Sequence, residues 1–214
     1  IINSHYFKNI KKNKKILIID DGNKNLINIE ILKNLPNNKY ISIISNSKNK
    51  GQGYSIKKAI TYAIKNEFEY ILTADDDGQH TIQDINKFIK ESQIKNSEFI
   101  LGVRLFDKKI PFRSKIGNTI IRIIIQILFG YKISDVTSGL RVYRSSTFST
   151  LLNIKNNRFD FQLLSIIELG NRCVSIPIET IYFENNKNSR YLPFSDSMNI
   201  IFSIIIYFFK NLFK

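Results

Sequence analysis

The chain of 214 residues contains one cysteine, two histidines, 18 acidic residues against 32 basic ones, and no long apolar run. A lone Cys173 excludes an internal disulfide and leaves no thiolate cluster for a zinc site. It fits a reducing compartment and reads as a small buried hydrophobe. The longest apolar runs, near residues 120–129 and 200–209, fall short of the roughly 18 to 20 residues that a membrane-crossing helix needs. The opening, IINSHYFKNIKKNKK, has no apolar core of the kind a secretory signal carries. His5 lies outside every motif and His80 reads as a helix-entry residue, so the pattern points away from histidine catalysis.

The shortage of acids leaves a net charge of +14, which suits nucleic acid, an anionic membrane surface or a phosphorylated substrate without choosing among them. Part of that excess reflects a chain rich throughout in Lys, Asn and Ile. With 43% hydrophobic residues, the length supports one domain with a real core.

Short Ile-rich runs alternate with longer helical patterns, the mark of βαβ units and a largely parallel sheet. Strands are expected over 15–19, 40–45, 70–74 and 98–103, and helices over 26–35, 54–65 and 82–93. After Arg104 the rhythm changes. A loop with Pro111 leads to an apolar helix over 116–129, then DVTSGLRVYR, a helix over 161–169, a strand pair over 174–183 and an amphipathic helix over 196–214. The expected organisation is a domain over 1–195 followed by that helix.

Two acidic clusters, Asp20-Asp21 and Asp75-Asp76-Asp77, follow expected strands. In an open α/β sheet the ligand crevice lies at the carboxyl ends of the strands, so both should face one cleft. Asp20-Asp21-Gly22 is equally readable as a turn. The second run says more, because like charges side by side ask for a cation. In extended chain, residues two apart point the same way, so Asp75 and Asp77 can converge on one ion with Gln79 adding an oxygen. Oxygen ligands suit Mg²⁺ or Mn²⁺, which complete their shells with water and substrate phosphates. In NKGQGYSIKKAI, Gly51 and Gly53 either let backbone approach an anion at a helix start or simply make a turn.

The order of the pieces is more specific than any of them. IIDDGNK, NKGQGYSIKKAITYAI, ILTADDDGQHTIQDI, ILGVRL, PFRSKIGN, DVTSGLRVYR, NRFDFQLLSII and the closing IETIYFENNKNSRY together resemble inverting glycosyltransferase family 2, in its dolichyl-phosphate mannose synthase-like branch. The resemblance runs from about Ile16 to Ile200. It implies a GT-A type α/β fold with membrane-surface helices. It also implies a first strand with a Pro-x-Tyr-Asn-Glu-like motif, which nothing before Ile16 matches, so that strand is expected to be missing.

What the resemblance implies about the site is as follows. Asp20, Asp21, Gly51 and Asp75 would bind the donor nucleotide. Asp75, Asp77 and Gln79 would hold Mg²⁺ or Mn²⁺, and Arg104, Arg113 and Arg190 the acceptor phosphate. Asp77, Arg113 and Asp135 are the catalytic candidates, with Asp135 orienting Arg141 or the acceptor. The expected reaction moves a hexose, with inversion, from a UDP- or GDP-sugar to a polyprenyl phosphate at the cytoplasmic membrane face, with no nucleic acid involved. A saccharide or lipid-linked oligosaccharide acceptor is the enzymatic alternative. A basic nucleic-acid-binding domain is the alternative of another class, and it would leave the aspartates without a role.

In NIIFSIIIYFFKNLFK, Asn199, Ser203, Tyr207, Lys210 and Lys214 recur every three or four positions and leave a wide Ile/Phe face, the pattern of an interfacial helix. The 116–129 helix repeats it with Arg122 and Gln126, and core packing is the competing reading for both.

Overall fold

Runs of β-branched and aromatic residues bounded by polar turns form the strands, as their side chains fit a pleated surface. The computed structural model describes residues 14–22, 38–75, 77–104, 112–179, 181 and 193–212. Strands β1 (Ile16–Asp20) and β2 (Ile41–Ser45) pair in parallel. Strands β3 (Tyr70–Thr73), β4 (Phe99–Arg104), β5 (Arg141–Arg144) and β6 (Cys173–Ile178) form a second sheet in the order β3-β5-β4-β6. Helices α1 (Gln52–Lys65), α2 (Ile82–Lys95), α3 (Phe112–Phe129), α4 (Phe148–Asn153), α5 (Asp160–Leu169) and α6 (Pro193–Leu212) pack around them. Helix α1 lies against both β1 and β3 and so ties the two sheets together.

The α/β class and most elements match the expectation within a few residues. The described strands differ from one mostly parallel sheet in two ways. They form two sheets, and β5 enters the larger one antiparallel to both β3 and β4. The segment RVYR had no strand signal of its own; it is a strand because Phe99 and Tyr143 face each other in register and stack at 5.2 Å. The helix expected over 26–35, the missing-strand expectation for residues before Ile16, and the second member of the pair over 174–183 lie on residues outside those described.

Alternation along the strands splits the apolar side chains between two layers. Phe99, Leu101 and Tyr143 join the larger cluster with α1 and α3 to α6, whereas Ile100, Leu140 and Val142 pack with Phe88 of α2 and with Ile176 and Ile178. Helix α5 sits in the middle of the larger layer, with eight of its ten residues buried. Thr81 caps α2: its hydroxyl oxygen accepts from Asp84 N–H at 3.0 Å, and its hydroxyl donates to the Asp84 carboxylate at 2.8 Å. Asp84 also accepts from the Glu179 N–H at 3.1 Å, which fixes the end of β6 against α2.

Helices α3 and α6 pack against each other, with Phe129 and Phe208 edge to face at 5.5 Å. Each has two faces. Ile121 and Ile125 of α3, and Ile200 and Ile204 of α6, are buried. Ile116, Ile120, Ile123 and Ile127 of α3, and Met198, Phe202, Ile205, Ile206 and Phe209 of α6, are exposed. Core packing and an outward apolar face, posed as competitors, thus occupy opposite sides of the same helices. Among the described residues no helix is long and apolar enough to cross a membrane.

Candidate active site

The carboxyl ends of β1, β2 and β3 meet the start of α1, because a glycine there lets loop and helix close together. Gly51 has φ +99°, and a Cβ on it would stand 2.4 Å from the Asn157 carbonyl oxygen. That carbonyl accepts the Tyr54 N–H at 3.0 Å. This part of the helix start, read from sequence as open to an anion, is closed by protein because Asn157 supplies the acceptor.

Asp21 is a loop anchor. Its carboxylate accepts from Lys50 N–H at 2.9 Å, Gly51 N–H at 2.7 Å and Asn46 Nδ2 at 2.8 Å, and Asn46 Oδ1 takes Lys58 Nζ at 2.7 Å. Asp20 is buried at the end of β1. One residue beyond Gly51, Gln52 Nε2 donates to Asp75 Oδ1 at 2.8 Å. The chain Asp21, Gly51, Gln52, Asp75 therefore bridges the two sheets at their carboxyl ends, which brings the two acidic clusters to one place as expected.

Asp75 and Asp77 are both exposed, and Gln79 is half-buried. Asp77 Oδ1 accepts the Gln79 N–H at 3.0 Å, so the loop curls back on itself. Asp76 lies outside the described residues, and among those described no three His, Cys, Asp or Glu side chains cluster as a metal cage. Two solvent-facing carboxylates and an amide fit a hard cation that keeps waters and takes oxygens from a substrate diphosphate. Nearby, His80 Nδ1 is buried without a hydrogen-bond partner. Burial lowers the imidazole's pKa, against the pull of Asp75 and Asp77, which favours the neutral ring.

The loop 133–140 forms the other wall. Asp135, fully buried, receives Arg104 Nε at 2.6 Å, Arg104 Nη2 at 2.9 Å and Thr137 N–H at 3.1 Å. Burial opposes its ionisation, but the Arg104 guanidinium and the N–H donors prevail and hold the carboxyl below the usual range. Asp135 was expected to orient Arg141 or the acceptor; of the two arginines it holds Arg104 and not Arg141. Arg141 is fully buried and donates to the carbonyls of Ser138, Gln162 and Val136 and to the Ser165 hydroxyl, at 2.5–3.1 Å. Four neutral acceptors satisfy its fork, so it needs no carboxylate.

Thr73 Oγ1 donates to the Gly139 carbonyl at 3.0 Å, and Gly139 presses against Asp75. The acid-bearing strand end and the loop that bears Asp135 are thus in contact. Arg113 lies in the first turn of α3, but its side chain and all of Arg190 fall outside the described residues. Asn46, Gln52 and Gly139 carry much of this geometry and drew no functional reading from sequence, since lone amides and a lone glycine have no spacing that announces them. Cys173 is half-buried, and burial pushes its thiol up to about 11, so it stays protonated and unreactive near neutral pH.

The family model for glycosyl transferase family 2 matches residues 4–152. Among curated proteins, an uncharacterized protein of Methanocaldococcus jannaschii is 28% identical over 209 residues, covering 93% of this chain and 84% of its own length. The UDP-N-acetylglucosamine–dolichyl-phosphate N-acetylglucosaminyltransferase of Methanococcus voltae is 28% identical, covering 79% of this chain and 75% of that protein. The dolichyl-phosphate beta-glucosyltransferase of Dictyostelium discoideum is 25% identical, over 99% of this chain and 67% of that protein. Among solved structures, S. aureus TarS in complex with UDP-GlcNAc aligns with a TM-score of 0.52 at 17% identity and covers 96% of this chain. This chain spans 62% of the TarS chain, and the likeness bears on the fold.

Proposed function

Because the chain belongs to glycosyl transferase family 2, we propose that it transfers a hexose from a nucleotide sugar to a polyprenyl phosphate, with inversion at the anomeric carbon, at the cytoplasmic face of a membrane. The acceptor is argued from two relatives whose names specify dolichyl phosphate. The observation that carries the reading is the meeting of Asp75 with Gln52 on one side and Gly139 on the other, beside the Arg104–Asp135 pair. The Asp75 carboxylate proposed for a diphosphate-bound cation and the Arg104 guanidinium held by Asp135 then belong to segments in contact.

Asp75, Asp77 and Gln79 would hold Mg²⁺ or Mn²⁺. When bound, the cation neutralises charge on the departing nucleoside diphosphate. Gln52 fixes Asp75 through its Oδ1, and Gly139 leaves room for the other oxygen, so the carboxylate is aimed before substrate arrives. Asp20, Asp21 and Gly51 contribute to the donor site, Asp21 by shaping the 46–51 loop on which the nucleotide would lie.

A polyprenyl phosphate is already an oxyanion near neutral pH, so no strong general base is required. Guanidinium groups hold it by paired, charge-assisted hydrogen bonds, and they stay charged at any working pH. Arg113 and Arg190 fill this role, with Arg104 turned toward Asp135 as the fixed rear of the acceptor wall. The exposed apolar faces of α3 and α6 support a seat on the lipid surface, where a long-chain acceptor would be concentrated.

The test is transfer of radiolabelled sugar from a panel of UDP- and GDP-sugars into organic-extractable polyprenyl phosphate, with and without Mn²⁺. Metal-dependent label in the lipid phase supports the reaction and the acceptor together. Donor binding without lipid label favours a saccharide acceptor, and absence of donor binding sinks the transferase reading for this chain.

A further inference from the structure

Helix α3 has two jobs that no other described element combines. Its outward face exposes Ile116, Ile120, Ile123 and Ile127, at 43%, 46%, 51% and 75%. Its inward face carries Asn118, 1% exposed, and the half-buried Arg122. Asn118 Oδ1 accepts the Val136 N–H at 2.9 Å, and Arg122 Nε donates to the Ile133 carbonyl at 3.0 Å. Both bonds end on the 133–140 loop, on either side of Asp135.

A buried amide facing an apolar core is costly unless it makes hydrogen bonds. An aliphatic side chain would serve helix packing at the Asn118 position. What the amide adds is the backbone of Val136, next to the carboxylate that holds Arg104. Arg141 binds the same residue from the other side through the Val136 carbonyl. The loop is therefore clamped between the core and α3, and α3 is the part of the clamp that also faces outward.

We infer that Asn118 and Arg122 are positioning residues. They set the 133–140 loop around Asp135, and through it the Arg104–Asp135 pair, according to how α3 sits. This rests on the proposed transfer to a polyprenyl phosphate. Seating α3 on a lipid surface then fixes the acceptor wall, so the site is best ordered where its acceptor resides.

The experiment uses the whole chain with vesicles containing polyprenyl phosphate and compares Arg122→Met, which removes the donor to Ile133, with Arg122→Gln, which keeps an N–H donor. KM for the lipid acceptor rises about tenfold in Arg122→Met. In Arg122→Gln it returns most of the way to the parent value, while calorimetric binding of Mn²⁺ and nucleoside diphosphate stays within about twofold in both. An unchanged KM with kcat falling in step with the folded fraction, or no rescue by Gln, overturns the proposal.

A second readout needs no activity: the rate of phenylglyoxal labelling at Arg104, followed by mass spectrometry. Labelling faster in Arg122→Met than in the parent and in Arg122→Gln supports positioning, even if the parent makes no lipid product and the acceptor reading alone fails. Equal labelling in all three overturns the positioning role whatever the assay gives.

Discussion

Gly139 lies against Asp75 so closely that a Cβ at Gly139 would stand 2.0 Å from Asp75 Oδ2. The contact joins the strand end that bears the acids to the loop that bears Asp135, the partner of Arg104. Gly139→Ala pushes the Asp75 carboxylate aside, since the backbone of the loop is held by Thr73 and Arg141 and yields less readily. A displacement on the order of 1 Å at a reacting centre costs about a hundredfold. The expected result is a loss of about that size in transfer rate and weaker Mn²⁺-dependent nucleotide binding, in a protein that still unfolds cooperatively. Parent-like binding would separate Gly139 from the site.

Asp77 is exposed and accepts the nearby Gln79 N–H, so it contributes little to folding. Asp77→Asn should leave the urea midpoint within about 0.5 kcal/mol of the parent, as surface changes do. Its effect falls on the cation: calorimetry should show nucleoside diphosphate binding with Mn²⁺ weakened by about 10- to 100-fold and binding without metal unchanged. Equal losses with and without Mn²⁺ would take Asp77 out of the metal site.

How much of this was legible beforehand follows from what sequence can carry. Alternation and helical period are local, so β1 to β4, α1 to α3 and α5 were readable within a few residues. Strand β5 was not, because RVYR is a strand only through its register with Tyr70–Thr73 and Phe99–Leu101. At the site, the order of motifs announced the family, and the spacing of Asp75, Asp77 and Gln79 is what the proposed cation site rests on. Arg104 and Asp135 were both singled out, but their pairing spans 31 residues and was decided by the fold. The closing block containing Arg190 gave the family reading some of its specificity, yet its structural role falls outside the described residues.

The Arg104–Asp135 pair makes stability depend on pH in one direction. The Asp135 carboxyl is held below its ordinary pKa, so its contribution is present above about pH 4, where the unfolded chain's carboxyl ionises, and is lost as the pH falls through the lower folded value. Asp135→Asn removes that dependence and leaves Arg104, with its side chain only 11% exposed, without its counter-ion. The expected cost near neutral pH is about 3 kcal/mol, the size for breaking a buried pair. Urea midpoints from pH 7 down to pH 3 should fall less steeply in the variant. Parallel curves would show that other carboxylates govern the acid transition.

The apolar faces of α3 and α6 are exposed in water at a cost that a lipid surface removes. Ile127 is 75% and Phe202 66% exposed, so replacing both by Asp deletes little core packing. Stability should shift by no more than about 1 kcal/mol for the pair, and donor-nucleotide binding in solution should be unchanged. Flotation with vesicles should respond instead, because each charge opposes insertion of the helix face into the headgroup boundary. Part of the binding should survive at low salt, since a chain of net charge +14 is attracted to anionic lipid whatever its apolar face does. The discriminating condition is therefore neutral vesicles, or anionic vesicles at high salt. There the parent chain should float and the double variant should not; equal flotation would place the membrane contact elsewhere on the molecule.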